Sequence, residues 1–258
     1  MTTGHGVVVV LSSSGDGEAR AHDTATRLAL ARKLAGIKGY DFAGAFDPSV
    51  RYPGSLYFVP DDTLVGADKA RALGIRGERD LFGGVVPHPF VATKAISHPL
   101  VTAEAAAPPG WSADFCATLG DALLRGFTVF SMDDARRAAA ILLPLGPVRV
   151  KRPGGVGGRG QAVAADGTAL DAILEAEDPA EVARVGLVLE ENLRDVTTHS
   201  VGQVRVAELV ASYWGTQRLT ADNHGEQVYG GSDLIVVRGD FDALLQFDLG
   251  SEARLALA

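Results

Sequence analysis

The sequence predicts an α/β protein, and three features of the chain indicate this class. Residues 6–11 form an uninterrupted apolar and mostly β-branched run, typical of a strand buried on both faces of a parallel sheet. Strand-like and helical segments then alternate, as they do in α/β units with right-handed crossovers. Further along, a glycine-rich segment lies between two strand-like segments, which predicts a loop with a ligand-binding role.

Length and composition indicate an ordinary folded protein. The chain has 258 residues, 47% hydrophobic and 22% charged, which suits two compact units. Its single cysteine, Cys116, excludes an intramolecular disulfide and fits a reducing compartment. Because Cys116 falls inside a predicted helix, we interpret it as a buried thiol, with a nucleophile as the alternative.

The charge of the chain limits its partners. A formal net charge of −8 argues against a general nucleic-acid surface, although a local basic pocket could still bind an anionic small molecule. The apolar run Val7–Leu11 is too short for a signal peptide or a membrane span, so we expect a cytoplasmic protein without a membrane partner. The sequence leaves a homo-oligomer possible.

The first part of the chain reads as a small α/β unit. We predict a helix over residues 18–35 that ends at Gly36 and Gly39, a strand over 55–59 and a short helix over 67–73. Residues 80–109 lack a clear period and read as an extended connection. The break at Pro108, Pro109 and Gly110 marks the candidate domain boundary.

The second part mixes helices and strands in another order. The pattern predicts helices over residues 112–125, 132–143 (capped by Ser131) and 169–175, and strands over 127–130, 148–151, 162–164, 186–190, 199–210 and 227–237. The last two strands should be antiparallel. A helix from Phe241 and a further helical tail should follow.

The glycine-rich loop is the most informative segment. Five glycines fall among the seven residues 154–160, with Lys151 before them and Arg159 among them. Such a loop can approach a polyphosphate closely and direct backbone N–H groups at it, with two cations beside them. The alternative is an exposed, flexible hairpin. A P-loop is excluded because no Gly-Lys-Ser/Thr follows, and a dinucleotide fingerprint fits poorly because a strand rather than a helix comes next.

The order of these elements resembles the ATP-grasp superfamily. The resemblance rests on Gly126-Phe-Thr-Val129, the capped helix, the strand ending in Lys151, the glycine-rich loop and Val188-Leu-Glu-Glu-Asn-Leu193. With residues 80–94 added, it is closest to an uncharacterised bacterial ATP-grasp family. It implies a small Rossmann-like pre-ATP-grasp domain (residues 1–110) followed by an ATP-grasp domain of two α+β lobes, residues 111–185 and 186–258, the last lobe incomplete.

The resemblance also implies which residues hold ATP. Lys151 would contact the phosphates and the adenine edge, while the loop would close over the β- and γ-phosphates. Glu190, Glu191 and Leu193 would form the hinge, with backbone groups of Glu191 and Leu193 pairing with adenine. The loop positions concerned are Gly154, Gly155, Val156, Gly157, Gly158 and Arg159. Glu190 and Glu191 could instead be an ordinary acidic strand end.

Four further residues are weaker candidates. His199 lies where some family members have a ribose- or phosphate-facing histidine, and it could equally be a surface residue. Lys94 could be the family's first nucleotide lysine, although it lies far ahead of Gly126. His88 and His98 each stand beside a proline, but neither has an acidic or cysteine partner at metal-ligand spacing, so we interpret both as loop residues.

The resemblance implies Mg²⁺ as well as ATP, but no metal ligands can be identified in the sequence. Asp233, Asp240 and Asp248 are available acids and read as solvated surface residues. The resemblance implies an ATP-dependent ligase that joins a small-molecule carboxylate to an amine, or a similar nucleophile, through an acyl phosphate. The alternative is a non-catalytic nucleotide-binding module with a degenerate or truncated metal site, and a nucleotide binder using Gly15 and Gly17 ranks last.

Overall fold

The structure is a computed structural model that describes residues 6–12, 21–155, 160–221 and 227–257. Its backbone groups into two compact units. The first comprises Met1–Pro87, His199–Thr216 and Asp233–Ala258, and the second comprises His88–Thr198 and Gln217–Ser232. Two strands, Leu209–Ala221 and Gln227–Arg238, contribute residues to both units.

The first unit is built on a parallel sheet with β1 (Gly6–Leu11) in the centre. Its neighbours are β2 (Asp41–Ala45) and β3 (Ser55–Pro60), both parallel to it, so β1 is buried along its whole length as its apolar run predicts. Helix α1 (Ala21–Lys38) packs one face with Ala31, Leu34 and Ala35. The other face is covered by residues around β4 (Leu64–Val65) and α2 (Ala67–Ala72).

In this region one predicted helix end was wrong and one strand was missed. Helix α1 continues through Gly36 and ends at Lys38, because Gly36 lies on an exposed turn where the missing side chain removes no contact. The left-handed residue that follows is Gly39, with φ of 66°. Strand β2 was not predicted, because its half-exposed sequence Asp-Phe-Ala-Gly-Ala carries little strand signal and pairing with β1 supplies the rest.

The strand predicted over residues 199–210 is a hairpin of two strands. Strands β10 (His199–Val206) and β11 (Leu209–Ala221) pair antiparallel, and Val206 lies opposite Leu209. The two-residue turn places Ala207 at φ of 51° without the glycine or asparagine that would have indicated it. Strand β12 (Gln227–Arg238) lies beside β11, and α7 (Phe241–Leu245) and α8 (Ser251–Leu257) follow as predicted.

The second unit has a four-stranded antiparallel sheet in the order β6-β9-β7-β8. The strands are β6 (Gly126–Val129), β7 (Val148–Lys151), β8 (Gln161–Ala164) and β9 (Leu187–Glu191). Helices α4 (Met132–Leu142) and α5 (Gly167–Glu175) contribute apolar residues to the core on this sheet, and α6 (Pro179–Val185) adds Val182. In α4 the buried residues recur at helical spacing, at Ala135, Ala138, Ala139 and Leu142.

The helix predicted over residues 112–125 is much shorter. Helix α3 covers Asp114–Leu119 and is followed by a 3₁₀ turn, Gly120–Ala122. Gly120 has φ of 48°, which ends the α-helix. Cys116 in this helix is half-buried rather than buried, and its thiol donates to the carbonyl of Ala113 at 3.0 Å.

The predicted connection over residues 80–109 holds short elements. They are β5 (Val85–Val86), parallel to β4, and two 3₁₀ turns, Pro89–Ala92 and Lys94–Ile96. Among the residues that the structure describes, no helix is long and apolar enough to cross a membrane.

Candidate functional site

The site begins with the segment from Lys94 to Pro99, which strand β6 fixes in place. The buried Thr128 donates its hydroxyl to the carbonyl of Ala95 at 2.7 Å and its backbone N–H to the carbonyl of Pro99 at 2.9 Å. Thr93 starts the 3₁₀ turn by accepting the N–H of Ala95 at 3.2 Å. These bonds hold Lys94 and His98 against the sheet near the end of β9.

The chemical centre is a carboxylate between two lysines. Glu190 on β9 is 5% exposed, and one of its carboxylate oxygens forms an ion pair with the ammonium group of Lys151 on β7. Arg149 lies opposite Glu190 in the pairing of these strands, two residues ahead of Lys151. The strand register therefore brings together two residues that are 39 positions apart in the sequence.

Lys94 adds the second positive charge. Its 3₁₀ turn contacts β9, and its ammonium group interacts electrostatically with both Lys151 and Glu190. Burial is the main effect that lowers the pKa of Lys94; repulsion by Lys151 lowers it further, and attraction by Glu190 raises it. The cluster therefore has more basic than acidic side chains in a partly buried place, which favours an anionic ligand.

His98 completes the cluster from the other side of Glu190. It is 5% exposed, and its Nε2 lies 3.9 Å from an oxygen of the Glu190 carboxylate. Its Nδ1 lies 2.9 Å from the hydroxyl of Ser97. Burial lowers the pKa of His98; Glu190 raises it, Lys151 lowers it and the backbone of Leu124 raises it.

Gly126 makes room for this arrangement. A Cβ added to Gly126 would lie 2.6 Å from the carbonyl oxygen of Leu189, 2.8 Å from the His98 ring and 2.9 Å from Cβ of Glu190. Any side chain at this position would therefore collide with backbone and with two members of the cluster. The glycine at the start of β6 permits the close packing of His98 on β9.

The glycine-rich loop joins β7 to β8, which pair antiparallel up to Lys151 and Gln161. Its base is closed by the N–H of Arg152, which donates to the carbonyl of Gly160 at 2.8 Å. Gly154 and Gly155 belong to the described part of the loop, whereas Val156, Gly157, Gly158 and Arg159 lie outside the described residues. The loop therefore starts directly after Lys151 in the chain.

The other two predicted hinge residues, Glu191 and Leu193, follow Glu190 at the end of β9. The N–H of Glu191 donates to the carbonyl of Arg125 at 2.9 Å, and its side chain accepts the N–H of Arg125 at 3.2 Å. Asn192 donates its N–H to the carbonyl of Pro147 and accepts from the guanidinium of Arg149 at 2.7 Å. Leu193, which is 46% exposed, lies just beyond these bonds.

Residues 10–258 match the family described as "Protein of unknown function (DUF3182)". The chain belongs to this DUF3182 family.

Solved structures resemble the fold. D-alanyl-alanine synthetase A from Vibrio cholerae superposes with a TM-score of 0.51 at 11% identity, covering 88% of this chain and 74% of that chain. D-alanine–D-alanine ligase from Bacillus anthracis gives 0.47 at 11% identity, covering 98% and 77%. A RimK domain ATP-grasp protein from Sphaerobacter thermophilus gives 0.37 at 12%, covering 87% and 90%. The likeness to D-alanyl-alanine synthetase A, with its TM-score of 0.51, confirms the predicted α/β class and ATP-grasp fold.

A human protein matches part of the chain. Cadherin-related family member 3 from Homo sapiens is 32% identical over 96 residues, which are 35% of this chain and 11% of that protein. The chain thus spans about a tenth of the length of this curated relative. So short a match does not relate the DUF3182 chain to that protein as a whole.

Among the sequence candidates, the structure brings Lys151 and Glu190 together and adds Lys94 and His98 to them. The sequence made Lys94 a weaker candidate because of its distance from Gly126. His98 lies in a loop, as expected, but hydrogen bonds to β6 fold this loop back onto the sheet and bury His98 beside Glu190. A signal was present in the buried glycine at the start of a strand, Gly126, which marks a close approach by another segment.

The remaining candidates have contacts of their own. His199 is half-buried in the first unit, where its ring lies 5.7 Å from that of Trp214. His88 stacks on Phe90 with ring centres 5.4 Å apart. Asp240 accepts the N–H of Ala243 at 3.2 Å as the N-cap of α7.

Proposed function

We propose that this DUF3182 protein binds ATP and is an ATP-dependent ligase that joins a small-molecule carboxylate to an amine. The observation that carries the proposal is the cluster of Lys94, Lys151 and Glu190 in an ATP-grasp fold. Among the described residues, two ammonium groups lie around one buried carboxylate, and a polyphosphate would balance the excess of positive groups.

The glycine-rich loop supports the same assignment. It leaves β7 immediately after Lys151, and Gly154 has open space on the side where a Cβ would be, so backbone can approach a ligand closely there. In the proposal, Gly154 to Arg159 close over the β- and γ-phosphates with their N–H groups. Lys151 and Lys94 contact the same phosphates as point charges.

The hinge would hold the adenine ring. Because the N–H of Glu191 is already bonded to Arg125, the group that Glu191 would offer to adenine is its carbonyl, an acceptor for the exocyclic amine. The N–H of Leu193 would donate to a ring nitrogen. Through their ion pair, Glu190 would hold the Lys151 side chain near the end of β9, where the hinge residues lie.

The proposed chemistry has two steps. A carboxylate oxygen of the substrate attacks the γ-phosphorus, the bond from that phosphorus to the bridging oxygen breaks, and ADP leaves with the electron pair. The amine then attacks the acyl carbon, the bond to phosphate breaks, and phosphate leaves while the nitrogen loses a proton. The lysines would stabilise the charge that gathers on the phosphoryl oxygens. Cytoplasmic location and the absence of nucleic-acid or membrane partners belong to the same proposal.

Magnesium has no site among the described side chains. In residues 6–12, 21–155, 160–221 and 227–257, no three His, Cys, Asp or Glu side chains come together to hold a metal ion. No metal site of three such side chains is therefore formed within these ranges, and no step above depends on Mg²⁺.

The alternative function is a nucleotide-binding module without ligase activity. One observation favours it: Asp240, one of the three acids considered for a metal, is engaged as a helix cap. Release of ADP in the presence of candidate carboxylates and amines would separate the two functions, because only the ligase requires turnover.

Calorimetric titration with Mg·ATP tests the proposal, using the parent chain, Lys151→Ala and Lys33→Ala as a control. Lys33 is an exposed lysine on α1 that is not part of the cluster, so its substitution removes the same charge from another residue. We expect the parent and the control to bind alike. We expect Lys151→Ala to bind about tenfold or more weakly, because a charge-assisted contact with phosphate contributes on the order of 1.5–3 kcal/mol.

Equal affinities for the parent and Lys151→Ala would contradict the proposed site, and no binding by the parent would contradict the proposed function. Thermal unfolding of each variant provides the control for folding. Lys151→Ala also leaves Glu190 buried without its ion-pair partner, so a loss of stability has to be separated from a loss of binding.

A further inference from the structure

Ser97 determines which nitrogen of His98 carries the proton. The hydroxyl of Ser97 donates to the carbonyl of Lys94 at 2.6 Å, and this bond uses its single hydrogen. The same oxygen lies 2.9 Å from Nδ1 of His98 and can only accept there. In neutral His98, Nδ1 therefore carries the hydrogen and Nε2 has a bare lone pair.

This bare nitrogen is buried and faces a carboxylate. Within the described residues, Nε2 of His98 has no hydrogen-bond partner, although it lies 3.9 Å from a Glu190 oxygen. An unsatisfied buried acceptor is unfavourable, and native structures keep few of them. Protonation of Nε2 would turn the repulsive contact with Glu190 into an attractive one.

The charged groups around His98 decide when protonation is favourable. Glu190 faces it from β9, Lys151 from β7, and Lys94 precedes it on its own segment and interacts with both. On β6, His98 packs against Gly126, which has no charge. In the structure, Lys151 already forms an ion pair with Glu190, so a positive charge on His98 would add little further stabilisation.

We propose that His98 is a positioning residue that takes up a proton when nucleotide binds and then replaces Lys151 as the ionic partner of Glu190. The proposal rests on the proposed ATP site. When Lys151 turns to the phosphates, the buried carboxylate of Glu190 loses its ion-pair partner. A protonated His98, already adjacent, keeps Glu190 satisfied and releases the full charge of Lys151 to the ligand.

The direction of the pH dependence follows from these charges. In the free protein, burial lowers the pKa of His98, so its ring is neutral near pH 7. In the complex, the phosphates offset the lysines while Glu190 attracts the proton, which raises the pKa of His98. The extra affinity is fully present below the pKa of the free protein and is lost as the pH rises through the pKa of the complex.

Calorimetry in buffers of different ionisation enthalpy measures this proton. Mg·ATP is titrated at pH 7 into the parent chain, His98→Gln and His88→Gln, where His88 is a half-buried histidine on the same segment that stacks on Phe90. We expect the parent and His88→Gln to take up a fraction of a proton approaching about one per nucleotide. We expect His98→Gln, which cannot be charged, to bind with that uptake removed.

The outcomes separate this inference from the proposed function. If the parent binds Mg·ATP but takes up no more protons than His98→Gln, the proposed role of His98 is refuted and the proposed ATP site is not. Absence of binding by the parent would overturn both. Nitrogen chemical shifts of the histidine rings in the unmodified chain give an independent test that needs no variant to fold: a hydrogen on Nε2 in the neutral free protein would also refute the proposal.

Discussion

At the scale of single residues, the site depends on three side chains whose properties come from their neighbours. Glu190 would be an ordinary acidic residue at a strand end if Lys151 were not paired with it. Burial and the nearby Lys151 lower the pKa of Lys94, and Glu190 opposes them. Each residue type was visible in the sequence, but the charge balance of the cluster exists only when the strands and the 3₁₀ turn come together.

Replacement of Gly126 by alanine tests the packing of this cluster. The new Cβ would lie 2.6 Å from the Leu189 carbonyl and within 3 Å of His98 and Glu190, so we expect a loss of about 1–3 kcal/mol in the free energy of unfolding. Gly36→Ala is the matched control, because nothing lies within 4 Å of its Cβ and a helical glycine is replaced by a better helix former.

Denaturant titration of both variants measures the difference. We expect the control to gain roughly 0.5–1 kcal/mol. A Gly126→Ala variant as stable as the parent would show that His98 and β9 are not packed as closely as described.

At the scale of elements, the second unit is held together by helix caps that also tie down loops. Asp134 in the first turn of α4 is 4% exposed. It accepts the N–H of Ala106 at 3.0 Å and the hydroxyl of Ser131 at 2.7 Å, while Ser131 in turn accepts the N–H of Asp134. The cap at Ser131 was predicted from the sequence, whereas the bond to Ala106 connects residues 28 positions apart and was not.

We therefore expect Asp134→Asn to lower the free energy of unfolding and Asp133→Asn to leave it nearly unchanged. Asp134 loses charge-assisted bonds in a buried position, for which we expect a loss of about 1–3 kcal/mol in unfolding free energy. The carboxylate of Asp133 is 87% exposed, and we expect its replacement to change stability by no more than about 0.5 kcal/mol.

Thermal or chemical unfolding monitored by circular dichroism compares the two variants. Equal effects would mean that the network around Ser131 does not stabilise α4. A larger effect of Asp133→Asn would reverse the assignment of the cap.

At the scale of the whole molecule, charge separates small anionic ligands from nucleic acids. The chain carries a formal net charge of −8, yet Lys94 and Lys151 concentrate positive charge near one buried carboxylate. A local cluster of two lysines suits one polyphosphate, whereas a duplex requires basic side chains over an extended surface.

We expect no saturable binding of a fluorescently labelled DNA duplex at physiological salt. The overall negative charge repels the phosphate backbone, and counterion release requires several clustered cations. Fluorescence anisotropy measures this, with Mg·ATP binding by the same preparation as the control for folded protein. Saturable binding of the duplex below micromolar concentrations would contradict the proposed restriction to small-molecule partners.

By itself, the sequence determined the α/β class and most strands and helices of the second unit, because buried apolar runs, helical periodicity and caps are local signals. The ATP-grasp fold was predicted from the resemblance of the ordered motifs to that superfamily. The sequence also singled out Lys151, the glycine-rich loop and Glu190. It missed strand β2, the turn at Ala207 and the true length of α3, where local signals are weak and pairing or a single backbone angle decides.

Only the tertiary structure shows that Lys94 and His98 lie beside Glu190 and Lys151. The hydrogen bonds of Thr128 to the segment from Ala95 to Pro99, and the missing side chain of Gly126, bring this segment onto the end of β9. These contacts join residues more than 25 positions apart, and no local pattern in a single sequence specifies such a pairing. Spacing along the chain indicated the lysine and the carboxylate, and packing supplied the second lysine and the histidine beside them.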